Sequence, residues 1–428
     1  MLRSAISHSL AARAGLASLA SLVFFAFACG SSSTSSSGGT TPIGAPDGGD
    51  PASDGGGPGG SSWSGAFDAV DELATEQNAP RRLVTDASHV YWLGGPTGAN
   101  GARGSFGYVR SVTKAGGGSA TELAKDLPYP LALALADDGL YFTAYDLNAN
   151  DGWSTGLRRM APSGGAAEIV HLVPTGSDPF GACSAWGPTE LVADGAELLA
   201  GYTECGFDLK STAARDVTPQ QGPQGQTLNA FGERYALTAS AIYAWRHLDA
   251  STNDLSLVAF DRAAKAAAPK TIAVVPSDHT QSNTEAEVER DAIVAAGDYV
   301  YAGVSKPGIP QVSGEVGQLL RIAIATGKID VLASFDNPPL RVTGIAVDDR
   351  NVYFTASSDL LLTCTTTDGA VYAAPLDGSK KPVAIASSLG CPRAVAVDDD
   401  GVYFTEMGAY PEESATGHGR LLRMKKTK

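Results

Sequence analysis

The sequence has few cysteines, few histidines, a deficit of positive charge and no apolar run long enough to cross a bilayer. Its 428 residues include 5 Cys and 6 His. Five cysteines in a chain of this length cannot build a disulfide scaffold. Lys and Arg number 31 against 46 Asp and Glu, a formal charge of −15. Binding to phosphate backbones needs a basic surface, so no nucleic-acid partner is expected. Glycine is abundant at 50 residues but follows no G-x-y period, which excludes a collagen-like chain. No G-x-S-x-G, P-loop or H-E-x-x-H motif occurs, and no C-x-x-C. His89, His171, His247, His279 and His418 are scattered, none beside a Ser or Cys motif. No catalytic residue can be named on this basis.

What is present begins with an export signal. Arg3 and Arg13 form a positive region ahead of an apolar stretch, residues 14–28, AGLASLASLVFFAFA. A membrane helix needs about 20 apolar residues, so this stretch reads as a signal-peptide core. It ends in Ala26-Phe27-Ala28-Cys29-Gly30, which resembles the lipobox of bacterial lipoproteins. That resemblance implies cleavage after residue 28 and a diacylglycerol on Cys29. Position 26 departs from the family pattern, holding Ala where Leu is usual. Gly30 rather than Asp after the cysteine implies outer-membrane sorting in a Gram-negative-type envelope. The same Ala26-Phe27-Ala28 is also an A-x-A cleavage site, in which case the protein is secreted. Residues 30–62 are almost wholly Gly, Ser, Thr, Pro and Asp. They cannot bury apolar area and are expected to form a flexible linker with a reach of about 30 Å. Residues 1–28 are thus read as signal peptide, 29–65 as lipidated cysteine and linker, and 66–428 as the folded domain. The two arginines and three aspartates of residues 1–65 leave 29 basic and 43 acidic residues in that domain, so the acidity belongs to the domain.

The domain is a repeat. IAVDDRNVYFTA (345–356) and VAVDDDGVYFTE (395–406) are its clearest copies. LVTDASHVYWLG (83–94), LALADDGLYFTA (133–144), LVADGAELLAGY (191–202), LTASAIYAWRHL (237–248) and IVAAGDYVYAGV (293–304) are weaker ones. Each holds two apolar strands around a tight polar turn, and the copies align on Tyr91, Tyr141, Leu198, Tyr243, Tyr301, Tyr353 and Tyr403. A third and a fourth short strand follow in most copies; FDLK (207–210) is the only further strand legible in the third. Four short strands per repeat of roughly 40–50 residues predict an all-β, seven-bladed β-propeller of four-stranded antiparallel blades. The seventh copy ends at GRLLRMKKTK without a fourth strand, while VDELA (70–74) resembles TELA (121–124). The N-terminal segment is therefore expected to complete the last blade and close the ring, which removes exposed sheet edges. The Tyr-[Phe/Trp]-Thr strands at Tyr141-Phe142-Thr143, Tyr353-Phe354-Thr355 and Tyr403-Phe404-Thr405, with Tyr91-Trp92 partial, resemble YWTD-type and related bacterial propeller repeats. That resemblance implies the fold and assigns no function, since such propellers host binders, lactonases, lyases and dehydrogenases.

In such a blade the turns between strands one and two lie on one face, and here they are minimal. The loops between strands two and three lie on the opposite face and are long, at 94–106, 144–155, 246–254, 303–316, 356–368 and 406–418. Long loops on one rigid face are the expected binding surface. Trp153 and Trp186 fall there as candidate contact anchors. So do Cys183, Cys205, Cys364 and Cys391; of three connectivities, 183–205 and 364–391 suit their places in the ring. Each would contribute about 3 kcal/mol in the chain-entropy model. Ten residues before each aligned aromatic lies the mouth end of the innermost strand. Arg81 and Arg393 from neighbouring blades are expected side by side there, with Glu233 and Asp291 opposite, a dipolar mouth suited to a zwitterion, a metal or a carboxylate. Asp146, Asn148 and Asn150 resemble part of a calcium loop, though Gly152 is one place late and the twelfth-position Glu is missing. Asp348, Asp349, Asp398 and Asp399 look like paired carboxylates but occupy tight turns, where Asp bonds to its own backbone.

These readings support a non-enzymatic lipoprotein, anchored by lipid only, whose monomeric propeller binds a protein or glycan. No cofactor is expected, calcium at Asp146, Asn148 and Asn150 being the one candidate. The competing reading is a lactonase- or lyase-type enzyme with a metal at the channel mouth, held by Glu233 and Asp291. A third is a structural scaffold within an envelope complex.

Overall fold

Apolar alternation broken by Gly and Asp turns makes the chain β wherever it is described. The computed structural model describes residues 66–427 except 96–105, 129, 147–153, 174–187, 196, 203–205, 212–233, 248–253, 264–268, 276–291, 307–315, 336–339, 359–366 and 409–418. Its described residues form twenty-seven strands and no helix. The strands sort into seven antiparallel sheets, six of four strands and one of three. Blade 1 runs outward as Pro80–Thr85, His89–Gly94, Phe106–Thr113 and Thr121–Pro128. The innermost strands of blades 2 to 7 are Leu133–Ala136, Pro188–Asp194, Tyr235–Leu237, Ile293–Ala296, Arg341–Val347 and Pro392–Val397. Each innermost strand neighbours the next, and the seventh neighbours the first. The protein is a seven-bladed β-propeller.

Blade 3 has three described strands, Pro188–Asp194, Glu197–Tyr202 and Gly206–Ser211, the last of them over the legible FDLK. Blade 7 is assembled from both ends of the chain. Pro392–Val397, Gly401–Glu406 and Gly419–Lys425 are joined by Asp71–Gln77 as the outermost strand. The pairing is antiparallel, with Asp71 opposite Arg423 and Gln77 opposite Gly419. Side chains reinforce it. Arg423 donates to Asp71 at 2.7 Å, Arg420 pairs with Glu72, and Arg110 of blade 1 donates to Gln77 at 2.9 Å.

The core lies between blades, and each of the seven blade interfaces has its own apolar cluster. The repeated Tyr-Phe pair explains how. Successive strand residues point to opposite faces. Tyr353 therefore packs toward blade 7 with Val371 and Phe404, while Phe354 packs toward blade 5 with Tyr301 and Leu319. Tyr403 and Phe404 divide the same way between blades 1 and 6. So do Tyr141 and Phe142 between blades 3 and 1, and Tyr91 and Trp92 between blades 2 and 7. The second strand is apolar on both sides because both sides are interior.

The third residue of the motif has a different task. Innermost strands lose register near the mouth, between Pro80 and Arg82, Pro188 and Glu190, Val342 and Gly344, and Pro392 and Val395. Such β-bulges take backbone groups out of the ladder. The fully buried hydroxyls of Thr143 and Thr405 accept from the amides of Ala132 and Ala394, both at 3.1 Å. Thr355 pairs with Thr343 at 2.9 Å, and Thr343 donates across the blade boundary to Pro392 O at 2.7 Å.

Replacing Thr143 with Val keeps the shape and leaves the Ala132 amide buried without its acceptor. Thr143→Val is expected to cost about 1–3 kcal/mol in denaturant unfolding; an unchanged midpoint would show that the amide is satisfied by something else.

Candidate functional site

Two ends of the ring can be compared. At one end, the base, the chain makes short turns between first and second strands, built on aspartate. Asp348 Oδ1 accepts the amides of Arg350 at 2.9 Å and Asn351 at 2.7 Å, and Oδ2 accepts the Tyr353 hydroxyl at 2.9 Å. Asp86 repeats this with Ser88, His89 and Tyr91, and Asp398 takes the amides of Asp400 and Gly401. These aspartates hold turns and core tyrosines, as their sequence context suggests.

Cations clasp the base across blade boundaries. One position recurs just after the third strands of blades 1, 4, 5, 6 and 7, marked by the same backbone bond to the first turn: Lys114, Arg262, Ile324, Leu376 and Lys426. Where it is basic, the side chain reaches an acid of the preceding blade. Lys426 donates to Asp348 at 2.7 Å and to Asp398 O at 2.6 Å, with its ammonium 5.7 Å from the Tyr353 ring centre. Lys114 pairs with Asp398 over the Tyr403 ring. Arg262 donates to Asp194 at 2.6 Å and pairs with Glu197 of blade 3. These cations were not singled out in the sequence, although aligning the ends of the third strands would have found them.

The base fixes several protonation states. Burial pushes the Asp348 carboxyl up, but Lys426, the two turn amides and the Tyr353 hydroxyl outweigh it, leaving its pKa below the usual range. Burial, then the neighbouring Asp348 charge, pushes the Tyr353 phenol well up. Burial, reinforced by Asp138, pushes Tyr141 to about 12.

The opposite end, the mouth, holds Arg81 and Arg393, the two described residues of the predicted channel set. Arg81 and Arg393 lie on neighbouring innermost strands. Arg81 Nη2 reaches Gly95 O at 3.5 Å, and Arg393 Nε reaches Met407 Sδ at 3.2 Å. The residues that come together are Arg82, Glu190 and Arg234. Arg82 Nη2 lies 3.0 Å from Glu190 Oε2, and Arg234 Nη1 lies 2.5 Å from the same oxygen. Arg82 Nε also donates to Leu131 O at 3.3 Å. One carboxylate of blade 3 is thus held by guanidinium groups of blades 1 and 4, an arrangement of charge-assisted bonds. The ten-residue rule misses it because the bulges before Arg82 and Glu190 shift the side-chain alternation by one.

Cys391 sits at the mouth end of the seam between blades 7 and 1. It is 1% exposed, disulfide-bonded, and packed with Ala79 and Met407. Beside it, buried Glu406 accepts the Gly390 amide at 2.6 Å and Arg420 Nε at 2.7 Å. Asp146 ends the Gly139–Asp146 strand and pairs with Ser154. Cys29, Asn148, Asn150, Trp153, Cys183, Trp186, Cys205, Glu233, Asp291 and Cys364 lie outside the described residues. Among the described residues no three His, Cys, Asp or Glu side chains gather as a metal site.

No family model matches the chain, and no curated protein matches it. Solved structures resemble it, two of them named as propellers. The β-propeller domain of the Trilobed protease from Pyrococcus furiosus is 11% identical, with 83% of this chain and 98% of that one covered and a TM-score of 0.49. The WD40 β-propeller domain of Doa1 is 11% identical over 85% and 98%, with a TM-score of 0.49. The extracellular domain of the hybrid two-component system BT4673 from B. thetaiotaomicron is 11% identical over 84% of this chain and 43% of that one, with a TM-score of 0.48. Blade number and ring closure here rest on the strand pairing itself.

Asp348→Asn keeps a turn acceptor and removes the charge facing Lys426. At neutral pH it is expected to cost about 1.5–3 kcal/mol, the range for hydrogen bonds to charged groups. Because the folded pKa is lowered, the wild-type advantage is complete above the unfolded value of about 3.9 and falls away as pH drops through the folded one. Unfolding midpoints of the two proteins should converge in acid; a gap unchanged at pH 3 would mean that the charge was not its source.

Proposed function

We propose that this protein is an exported lipoprotein, anchored in the outer membrane through Cys29, whose propeller binds a protein or glycan at its mouth and catalyses no reaction. The observation that carries the binding reading is the contrast between the two ends of the ring. The base turns are short and closed by Asp86, Asp348 and Asp398 on their own amides, which leaves little there to vary. The sequence places its long inter-strand segments at the mouth, on a frame fixed by Glu190 with Arg82 and Arg234. Arg81, Arg393, Glu233 and Asp291 are the channel-mouth candidates, and Trp153 and Trp186 the loop candidates. Cys391 is disulfide-bonded, and 364–391 with 183–205 is the pairing its place in the ring suggests. The anchor is supported by the apolar segment ahead of Cys29 and the linker behind it.

Cys29→Ala is expected to abolish incorporation of labelled palmitate and move the protein from the membrane pellet to the soluble fraction; equal sedimentation of the two forms would refute lipid anchoring. Capture of an envelope partner by the full chain should be lost when residues 409–418 are deleted, and retention would remove the mouth as the binding surface.

A further inference from the structure

The chain enters the ring at a defined place. Strand Asp71–Gln77 runs from base to mouth, since Asp71 faces Arg423 near the base and Gln77 faces Gly419 at the mouth. The residues just before it are therefore at the base, and they are fastened there. Phe67 forms a bridge with Lys426, and the Asp68 amide donates to Lys425 O at 3.0 Å. Ala66 O accepts from Thr427, through its amide at 3.2 Å and its hydroxyl at 2.7 Å. The Phe67 ring meets Tyr353 edge-on, with centroids 6.2 Å apart. Lys426 is itself held by Asp348 and Asp398 O. The segment is thus tied beneath blades 6 and 7, on the face with the short turns.

We propose that the anchor holds the propeller base-first, so that the base faces the membrane and the mouth is presented to the aqueous phase. The inference rests on the lipid-anchor reading above and adds the direction in which the binding face points. Linker 30–62 has a reach of about 30 Å by composition. The seven-residue closing strand gives the ring a height of about 23 Å at about 3.3 Å per residue. With the base toward the membrane, the whole reach becomes clearance. With the mouth toward it, the linker must first cover the height of the ring, and most of its reach is consumed. Exposed charges at the base are of both signs, Asp137, Asp138, Asp349, Asp399 and Asp400 with Lys328, Arg350, Lys380, Lys381 and Lys425, and their interaction with headgroups decays within a Debye length of about 8 Å. Beyond that distance the point of attachment sets the orientation. A partner then approaches the mouth from solution or from an opposing surface, rather than being a lipid of the anchoring membrane.

The test uses the full lipidated chain with a fluorescent amino acid at Asp349 on the base or at Phe106 on the mouth, in vesicles carrying an acceptor lipid. Both positions are exposed, at 81% and 46%. Transfer from position 349 is expected to exceed that from 106 at least twofold. Asp399 and Thr367 serve as a second base and mouth pair should either label disturb folding. Equal transfer, or more from the mouth, overturns the orientation and leaves the anchor standing. No transfer from either end, with the protein in the soluble fraction, overturns the anchor and with it this inference.

Discussion

The antiparallel ladder between Asp71–Gln77 and Gly419–Lys425 holds together the two ends of the chain, and the rest of the ring depends on it. A propeller blade buries its faces only against neighbouring blades, so an open ring exposes two of them. Here the last of these interfaces contains Leu73 and Ala74 from the N-terminal strand, together with Leu421, Tyr403 and Trp92. Without the first strand, blade 7 would lose part of that cluster and offer an unpaired edge. Arg423, Arg420 and Arg110 add charged or polar partners to Asp71, Glu72 and Gln77. The residues that precede this strand lie at the base, where Ala66 and Phe67 meet Lys426 and Thr427. Closure and point of attachment are therefore consequences of one pairing.

Within the closed ring, packing and polar contacts divide the work. The two-sided Tyr-Phe pairs fill the interfaces, burying apolar area on both faces of each second strand, the main favourable term in folding. Hydrogen bonds then settle details that area alone leaves open. Buried Thr143 and Thr405 satisfy the amides of Ala132 and Ala394, the latter inside a bulge. Turn aspartates fix tyrosine hydroxyls, and Lys114, Arg262 and Lys426 tie neighbouring blades. Blade 3 shows the balance most clearly. Its strands lack the aromatic pair, and its acids Glu190, Asp194 and Glu197 meet arginines of blades 1 and 4 at both ends of the ring.

The strand repeat was readable because alternation and turn chemistry are local. The copies at 345–356 and 395–406, the third strands and the closing VDELA segment all coincide with observed strands. The turn reading of Asp348 and Asp398 also holds, since an aspartate bonding two or three residues ahead needs nothing distant. Site positions were less legible. Counting back from Tyr91 led to Arg81, whereas Arg82 is the residue that meets Glu190. Counting assumes an unbroken ladder, and a bulge breaks the count without leaving a distinctive residue.

Composition, periodicity and the unfinished seventh repeat determined the fold class, the number of blades and the means of closure, because each depends on residues close in sequence or on a simple mismatch between the two ends. Only the tertiary structure decided which charges meet. Lys426 with Asp348 and Glu190 with Arg82 and Arg234 join residues separated by whole blades, and their partners are set by ring curvature and bulge phase. Tertiary structure also placed the incoming chain on the base, since the direction of the closing strand follows from pairing with a strand almost 350 residues away.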